Sequence, residues 1–301
     1  TANKAMIAHH GLRLAELAAA NGAPLAFEAA VAGGIPVIKG LREGAAANAI
    51  ERVTGILNGT CNYILSTMEA SGADFADVLA EAQARGYAEA DPAFDIDGVD
   101  AAHKLAILAA IAFGARVDFP AVAVSGIREV RAADIAQARQ LGFVIRLVGV
   151  ADCAAGQLLQ RVRPCLVPLS HPLAHVTGPT NAVVAEGNFA GRLLFQGAGA
   201  GAGPTASAIV ADLIDIARGQ AGPPFSLPTQ ALAAMAPADP GDRVGRDYIR
   251  FTVADRTGVL AEITAAMRDA GVSIESLIQR GRAAEDGDER ERSTHRRLRA
   301  A

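Results

Sequence analysis

Five carboxylates, Glu89, Asp91, Asp95, Asp97 and Asp100, crowd the segment between Gly86 and Lys104, which then runs straight into the apolar stretch Leu105 to Phe113. Acidic side chains beside an apolar helix are costly to desolvate, and loops held by rigid elements are where chemistry concentrates. Asp97 and Asp100 supply an acidic helix start, which suits the positive end of a helix dipole. A helix beginning there sets Asp100 and Lys104 one turn apart on the same face. That spacing places an ammonium against a carboxylate at the mouth of an apolar helix, and the chemistry on offer is proton transfer.

The chain's lysines point the same way. It holds 28 Lys plus Arg, of which only Lys4, Lys39 and Lys104 are lysines. Arginine serves wherever a fixed positive charge is enough, whereas a partly buried lysine can give up its proton. Codon bias with a few chance survivors explains any one lysine equally well; the surrounding carboxylates are what single out Lys104.

Other candidates are more ambiguous. The run Gly197-Ala198-Gly199-Ala200-Gly201-Ala202-Gly203 lies between a predicted strand and a predicted helix. It reads equally as a tight connection or as a place where backbone amides meet an anion. Its spacing is not GxGxxG, and no dinucleotide fingerprint occurs anywhere in the chain. Glu28, ahead of Gly33-Gly34, reads first as a strand-end carboxylate accepting backbone amides, and second as one ligand of a hard cation. His171 and His175 are separated by a helix-unfriendly Pro172 with no third ligand near, so they read as structural. Cys61, Cys153 and Cys165 are odd in number with no CxxC, and read as buried thiols of a reducing cytosol.

The elements that must position these groups follow from periodicity. Helices are predicted over residues 5–21, 62–70, 74–85 and 205–218, with strands over 25–31, 52–57, 122–127, 143–151, 158–167, 182–186 and 192–196. The strand 158–167 alternates as a half-exposed strand should. Residues 1–220 thus form one α/β (α+β) domain, a mixed, largely antiparallel sheet covered by helices. A Pro/Gly-rich linker is expected over 221–246. A new unit follows, with a strand at 248–253, a turn at Asp255 to Gly258, a helix at 259–270 and a strand at 272–279. From residue 282 the charged chain to 301 is expected to be disordered. No apolar stretch reaches membrane-spanning length, and a net charge of −4 without a basic patch argues against nucleic acid.

Three runs together, Thr1-Ala2-Asn3-Lys4, Gly55-Ile56-Leu57-Asn58-Gly59-Thr60-Cys61-Asn62-Tyr63-Ile64-Leu65 and the 86–104 segment, closely resemble homoserine dehydrogenases. The order and spacing match on through the Gly-rich run. Residues 247–281, with Arg256-Thr257-Gly258-Val259-Leu260, resemble part of a ferredoxin-like ACT domain, an amino-acid sensor. The resemblance implies reduction of aspartate semialdehyde to homoserine with NADP or NAD. It implies Lys104 as proton donor, Asp100 as its orienter, and Lys4 near the nicotinamide, sharing the proton role. Glu89 would bind the substrate's amino group, with Gly86, Tyr87, Asp95, Gly59 and Thr60 shaping the pocket. Gly201 would touch the cofactor. Glu28 with the carbonyls of Val31, Gly33 and Ile35 would hold a monovalent cation, Na+ or K+, reversing the first reading of Glu28.

The resemblance further implies a cytoplasmic homodimer or homotetramer, with threonine as an effector at the ACT unit. The family's Rossmann half does not precede Thr1 here, so the expectation is an inactive fragment of an active enzyme. The competing reading is an amino-acid-binding regulatory protein with an inactive catalytic shell; the intact pairing of Asp100 with Lys104 favours the enzyme.

Overall fold

Asn3 starts the first helix, its side-chain oxygen accepting the Met6 amide at 3.0 Å, so that Lys4 opens α1 (Lys4–Ala20). The computed structural model describes residues 1–239, 245–254 and 256–279, and the backbone of 296–300. It divides into two units at Gly245/Arg246. In the first, α2 (Val37–Lys39), β1 (Ile50–Ile56), α3 (Gly59–Ser71), α4 (Phe75–Ala84), α5 (Ala93–Ile96), α6 (Val99–Phe113), β2 (Ala123–Val124), α7 (Ala132–Gln140), β3 (Phe143–Ala154), β4 (Gln157–Pro168), β5 (Thr180–Gly187), β6 (Gly191–Ala198), α8 (Ala202–Ala217) and β7 (Ala236–Pro237) follow in order. The sheet runs β6-β5-β1-β3-β4, every neighbour antiparallel, with the short β2 and β7 added parallel to β4.

Strand pleating divides the sheet's two faces. Gly149 of β3 faces α6, since a Cβ there would lie 3.1 Å from the Leu57 side chain and 3.2 Å from that of Leu105. Val148 and Val150 point the other way, into a cluster with Ile56, Val167, Leu173 and Val184. On the first face α6 is buried along its length through Leu105, Ile107, Leu108 and Ile111. Each such side chain contributes about 1.5–3 kcal/mol of burial, enough to fix the helix whose first turn carries the acidic residues. Its start is set by Gly98, whose φ of +87° is open to glycine.

Several expectations are corrected. Residues 25–31 form no strand; Glu28–Ala30 is a single 3₁₀ turn, where the Glu28 carboxylate accepts the amides of Ile38 and Lys39 further along the chain. The strand expected over 122–127 shrinks to Ala123–Val124. β4 is buried on both faces rather than half-exposed, its polar Gln160 and Arg161 included. Asp97 is not at the helix start: it pairs with exposed Arg128. Cys153 is only partly buried.

The linker expected over 221–246 is also corrected for its first part. Residues 221–239 belong to the first unit. Phe225 is 0% exposed and its ring lies 5.1 Å from that of Phe27, Leu232 is buried, and β7 pairs with β4. Proline and glycine there shape a packed connection.

In the second unit, β8 (Asp247–Arg250), α9 (Val259–Asp269) and β9 (Arg296–Ala300) appear, with β8 and β9 antiparallel. No strand is formed among the described residues 272–279. The expected disorder of 282–301 is overturned at Arg296–Ala300, where backbone pairing to β8 satisfies the chain; the rest of that stretch, and Asp255 of the expected turn, lie outside the described residues.

Candidate active site

Asp100 sits in the first turn of α6 and is 4% exposed. Its Oδ2 accepts Lys104 Nζ at 2.8 Å and Asn58 Nδ2 at 2.8 Å, while Oδ1 lies 3.1 Å from Lys4 Nζ. Burial pushes this carboxyl up, but the charge and hydrogen bond of Lys104, the charge of Lys4 and the Asn58 amide together hold it below its ordinary value. The predicted triad of Lys104, Asp100 and Lys4 is therefore assembled from two helices, α1 and α6, around one ionised carboxylate.

Lys104 has three protons to give. One goes to Asp100 and one to the carbonyl of Leu57 at 2.7 Å; with no further acceptor among the described residues, the third is left for a reacting oxygen. The Leu57 carbonyl also accepts Asn181 Nδ2 at 2.9 Å. It stands at the end of β1 where the chain turns into α3, so the central strand fixes the ammonium.

The start of α3 builds the next layer. Asn58 caps it, accepting the Cys61 amide at 2.8 Å, and its Nδ2 also donates to Asp95 Oδ1 at 2.9 Å. Thr60 Oγ1 lies 3.0 Å from Asp95 Oδ2 and 2.8 Å from the Tyr87 carbonyl oxygen. A Cβ on Gly59 would lie 2.7 Å from the Pro179 carbonyl oxygen, so only glycine lets α3 begin this close to β5. Buried Cys61 donates to the Asp95 carbonyl at 3.2 Å; burial and then the nearby carboxylates push its thiol well up, leaving it protonated and unreactive.

Of the predicted substrate residues, Asp95 and Thr60 thus join the Asp100 network directly. Gly86 ends α4 in the left-handed region at φ +76° and turns Tyr87 back so that its ring lies 4.5 Å from that of Tyr63. Glu89 is exposed, its backbone carbonyl accepting Gln83 Nε2 at 3.0 Å; among the described residues its carboxylate pairs with none, which leaves it open to a cationic ligand.

The glycine run connects to the same network from the other side. Gly199 packs so tightly that a Cβ would lie 2.1 Å from Asn181 Cγ, and a Cβ on Gly33 would lie 2.6 Å from the Gly199 carbonyl. Gly201 caps α8 at φ +113°. Thr205 N–H is the first to bond back, to the Gly201 carbonyl at 3.0 Å, and Pro204 has none, so Ala202 and Gly203 present the free amides of this helix end. With no acidic residue in the first turn and open space around Gly203, this end suits an anionic group.

Glu28 is 3% exposed, and its two oxygens accept the amides of Ile38 and Lys39 at 2.8 and 2.9 Å. Burial raises its carboxyl despite those bonds. Successive left-handed residues, Ala32 at φ +56° and Gly33 at +54°, coil the backbone between Val31 and Ile35 beside it. Among the described residues no three His, Cys, Asp or Glu side chains cluster about one point.

Sequence reasoning missed Asn58, Asn181 and the pair His9 and His103, whose Nε2 atoms lie 3.2 Å apart between α1 and α6. For Asn58 a signal existed, a capping-type Asn at the turn ahead of an apolar helix; for Asn181 none did.

A carboxylate-held lysine on a buried helix, a cluster of Asp and Thr with Glu nearby, and a glycine-lined helix end are what an oxidoreductase of the dehydrogenase class needs to deliver a proton, meet a substrate and receive an anionic group. Residues 36–214 match the family described as homoserine dehydrogenase, and residues 248–294 match the ACT domain. The chain is 48% identical to a homoserine dehydrogenase of Synechocystis sp. over 293 residues, covering 93% of this chain and 67% of that protein. It is 46% identical to the homoserine dehydrogenase of Pseudomonas aeruginosa, covering 95% and 68%. The crystal structure of a homoserine dehydrogenase from Thiobacillus denitrificans superposes with a TM-score of 0.90 at 41% identity, covering 100% of this chain and 75% of that one. A hyperthermophilic archaeal homoserine dehydrogenase in complex with NADPH superposes at 0.64 with 33% identity, covering 75% and 65%. The chain belongs to the homoserine dehydrogenase family. It spans about two thirds of the length of these curated relatives, and its ACT match runs past residue 281, where the sequence reading ended that unit.

Proposed function

We propose that this site interconverts L-aspartate 4-semialdehyde and L-homoserine, with Lys104 as the proton donor to the reacting carbonyl. The observation that carries the reading is the free third proton of an ammonium held by Asp100 and the Leu57 carbonyl. Aldehyde reduction develops an alkoxide, and a fixed ammonium both stabilises that charge and neutralises it by donating a proton. A bound nicotinamide dinucleotide, NADP or NAD, would supply the hydride. The free amides of Ala202 and Gly203, with Gly201 at the α8 cap, would hold its anionic portion, and Lys4 would lie on the nicotinamide side of Asp100.

Asp100 orients Lys104 and stays ionised throughout. Asp95, Thr60, Gly59, Gly86 and Tyr87 shape the substrate's side of the pocket, and the Glu89 carboxylate meets the substrate's ammonium group. Glu28 with the carbonyls of Val31, Gly33 and Ile35 offers the all-oxygen donor set of a monovalent cation, Na+ or K+, and a cation there would relieve the cost of burying Glu28. Threonine as effector at the ACT unit, a homodimer or homotetramer and a cytoplasmic setting complete the reading; free thiols suit the last.

Protection experiments test the substrate assignment. L-homoserine should shield Lys104 from amine acylation; equal labelling with and without saturating homoserine would sink it.

A further inference from the structure

Asn58 has two amide protons, and two different carboxylates take them: Asp95 Oδ1 at 2.9 Å and Asp100 Oδ2 at 2.8 Å. Its oxygen is also committed, to the Cys61 amide at 2.8 Å. The side chain is 4% exposed, so water has little room to replace any of these bonds. One carboxylate belongs to α5 and the substrate side, the other to α6 and the proton-transfer side. Without a donor between them, two such carboxylates would repel.

We propose that Asn58 is a positioning residue that couples the substrate-side carboxylate to the proton-transfer pair, holding the Asp95 and Asp100 carboxylates at a fixed separation. This rests on the homoserine reading above but concerns a different residue. The bond to Asp100 Oδ2 shares that oxygen with Lys104, so it fixes the carboxylate rotamer that aims the ammonium. The bond to Asp95, reinforced by Thr60, carries a displacement at the substrate end to the same oxygen. An amide fits because it donates twice without charge; a carboxylate or a hydroxyl in its place still caps α3 but cannot donate to both neighbours.

The charged and titratable groups around Lys104 are Asp100 on its own helix, Lys4 on α1, Asp95 on α5 and Cys61 on α3. With three lysines in the chain, trace acylation read by peptide mass spectrometry follows each amine separately, and Lys39 serves as an internal control. In Asn58→Ser, about tenfold more L-homoserine should be needed for half-protection of Lys104, because Asp95 is released, and the acylation rate of Lys104 relative to Lys39 should change about threefold or more, because the ammonium loses its fixed aim. Ser caps helices about as well as Asn, so an Asn58 that only caps α3 predicts wild-type values of both. Both values unchanged in Asn58→Ser would overturn the proposal. Absence of homoserine protection in the wild-type chain would instead overturn the substrate reading, and the Lys104-to-Lys39 rate ratio in Asn58→Ser would still decide the coupling.

Discussion

Asp100 stays ionised while almost wholly buried because two ammonium groups and an amide converge on its two oxygens. Removing it leaves Lys104 and Lys4 facing each other without a counter-charge, a loss of the order of 3–5 kcal/mol for a broken buried pair. The same geometry fixes the sign of its pH dependence. A carboxyl held below its ordinary value contributes stability that is complete above the unfolded value of about 3.9 and is lost as pH falls through the lower folded value. Thermal midpoints measured across pH 6 to pH 3 should therefore fall more steeply for the wild type than for Asp100→Asn; parallel curves would contradict the assignment. For catalysis, Lys104→Met in a chain that spans the full length of its relatives removes the donor while keeping the stem, and kcat should drop by about 10²–10⁴ with the circular dichroism unchanged. Lys104 and Asp100 were legible in the sequence because helical spacing places i and i+4 together. Lys4 could be connected to them only through the family resemblance, since nothing local ties α1 to α6.

Among the elements, the turn from β1 into α3 carries most of the site. It delivers the Leu57 carbonyl, the Asn58 amide, Gly59 and Thr60 within four consecutive residues. β5 adds Asn181, which clamps the Leu57 carbonyl and lies against Gly199. Gly199→Ala should thus disturb the lysine anchor as well as the glycine run: an added Cβ in contact with Asn181 costs about 1–3 kcal/mol, read as a lowered denaturant midpoint. The segment 221–239 gives a second element-scale test. Phe225→Ala should destabilise the first unit by about 3–5 kcal/mol, the usual loss for a buried phenylalanine, whereas a residue in a free linker would lose nothing. Composition misled here because proline and glycine mark packed turns and flexible tethers alike.

At the scale of the whole molecule, the chain is two units that match two families, a catalytic one and an ACT one. Threonine titrated into the intact chain should give a binding isotherm that disappears when residues 246–301 are deleted. L-homoserine protection of Lys104 should survive that deletion, because every partner of Lys104 among the described residues lies in the first unit. No helix among the described residues is long and apolar enough to cross a membrane.

The sequence by itself determined the local chemistry: the Asp100 and Lys104 pairing, the capped helix after β1, the glycine-rich strand-to-helix turn and the largely antiparallel sheet all follow from short-range spacing and period. Tertiary structure alone decided which carboxylates share a donor, that Asn58 bridges Asp95 to Asp100, and that Asn181 braces the Leu57 carbonyl from a strand 124 residues away. It also decided that the segment 25–31 is no strand and that 221–239 packs onto the first unit through Phe225, Thr229 and Leu232. Those outcomes depend on contacts between elements distant in the chain, where burial leaves each polar group to find a partner and local pattern does not say which.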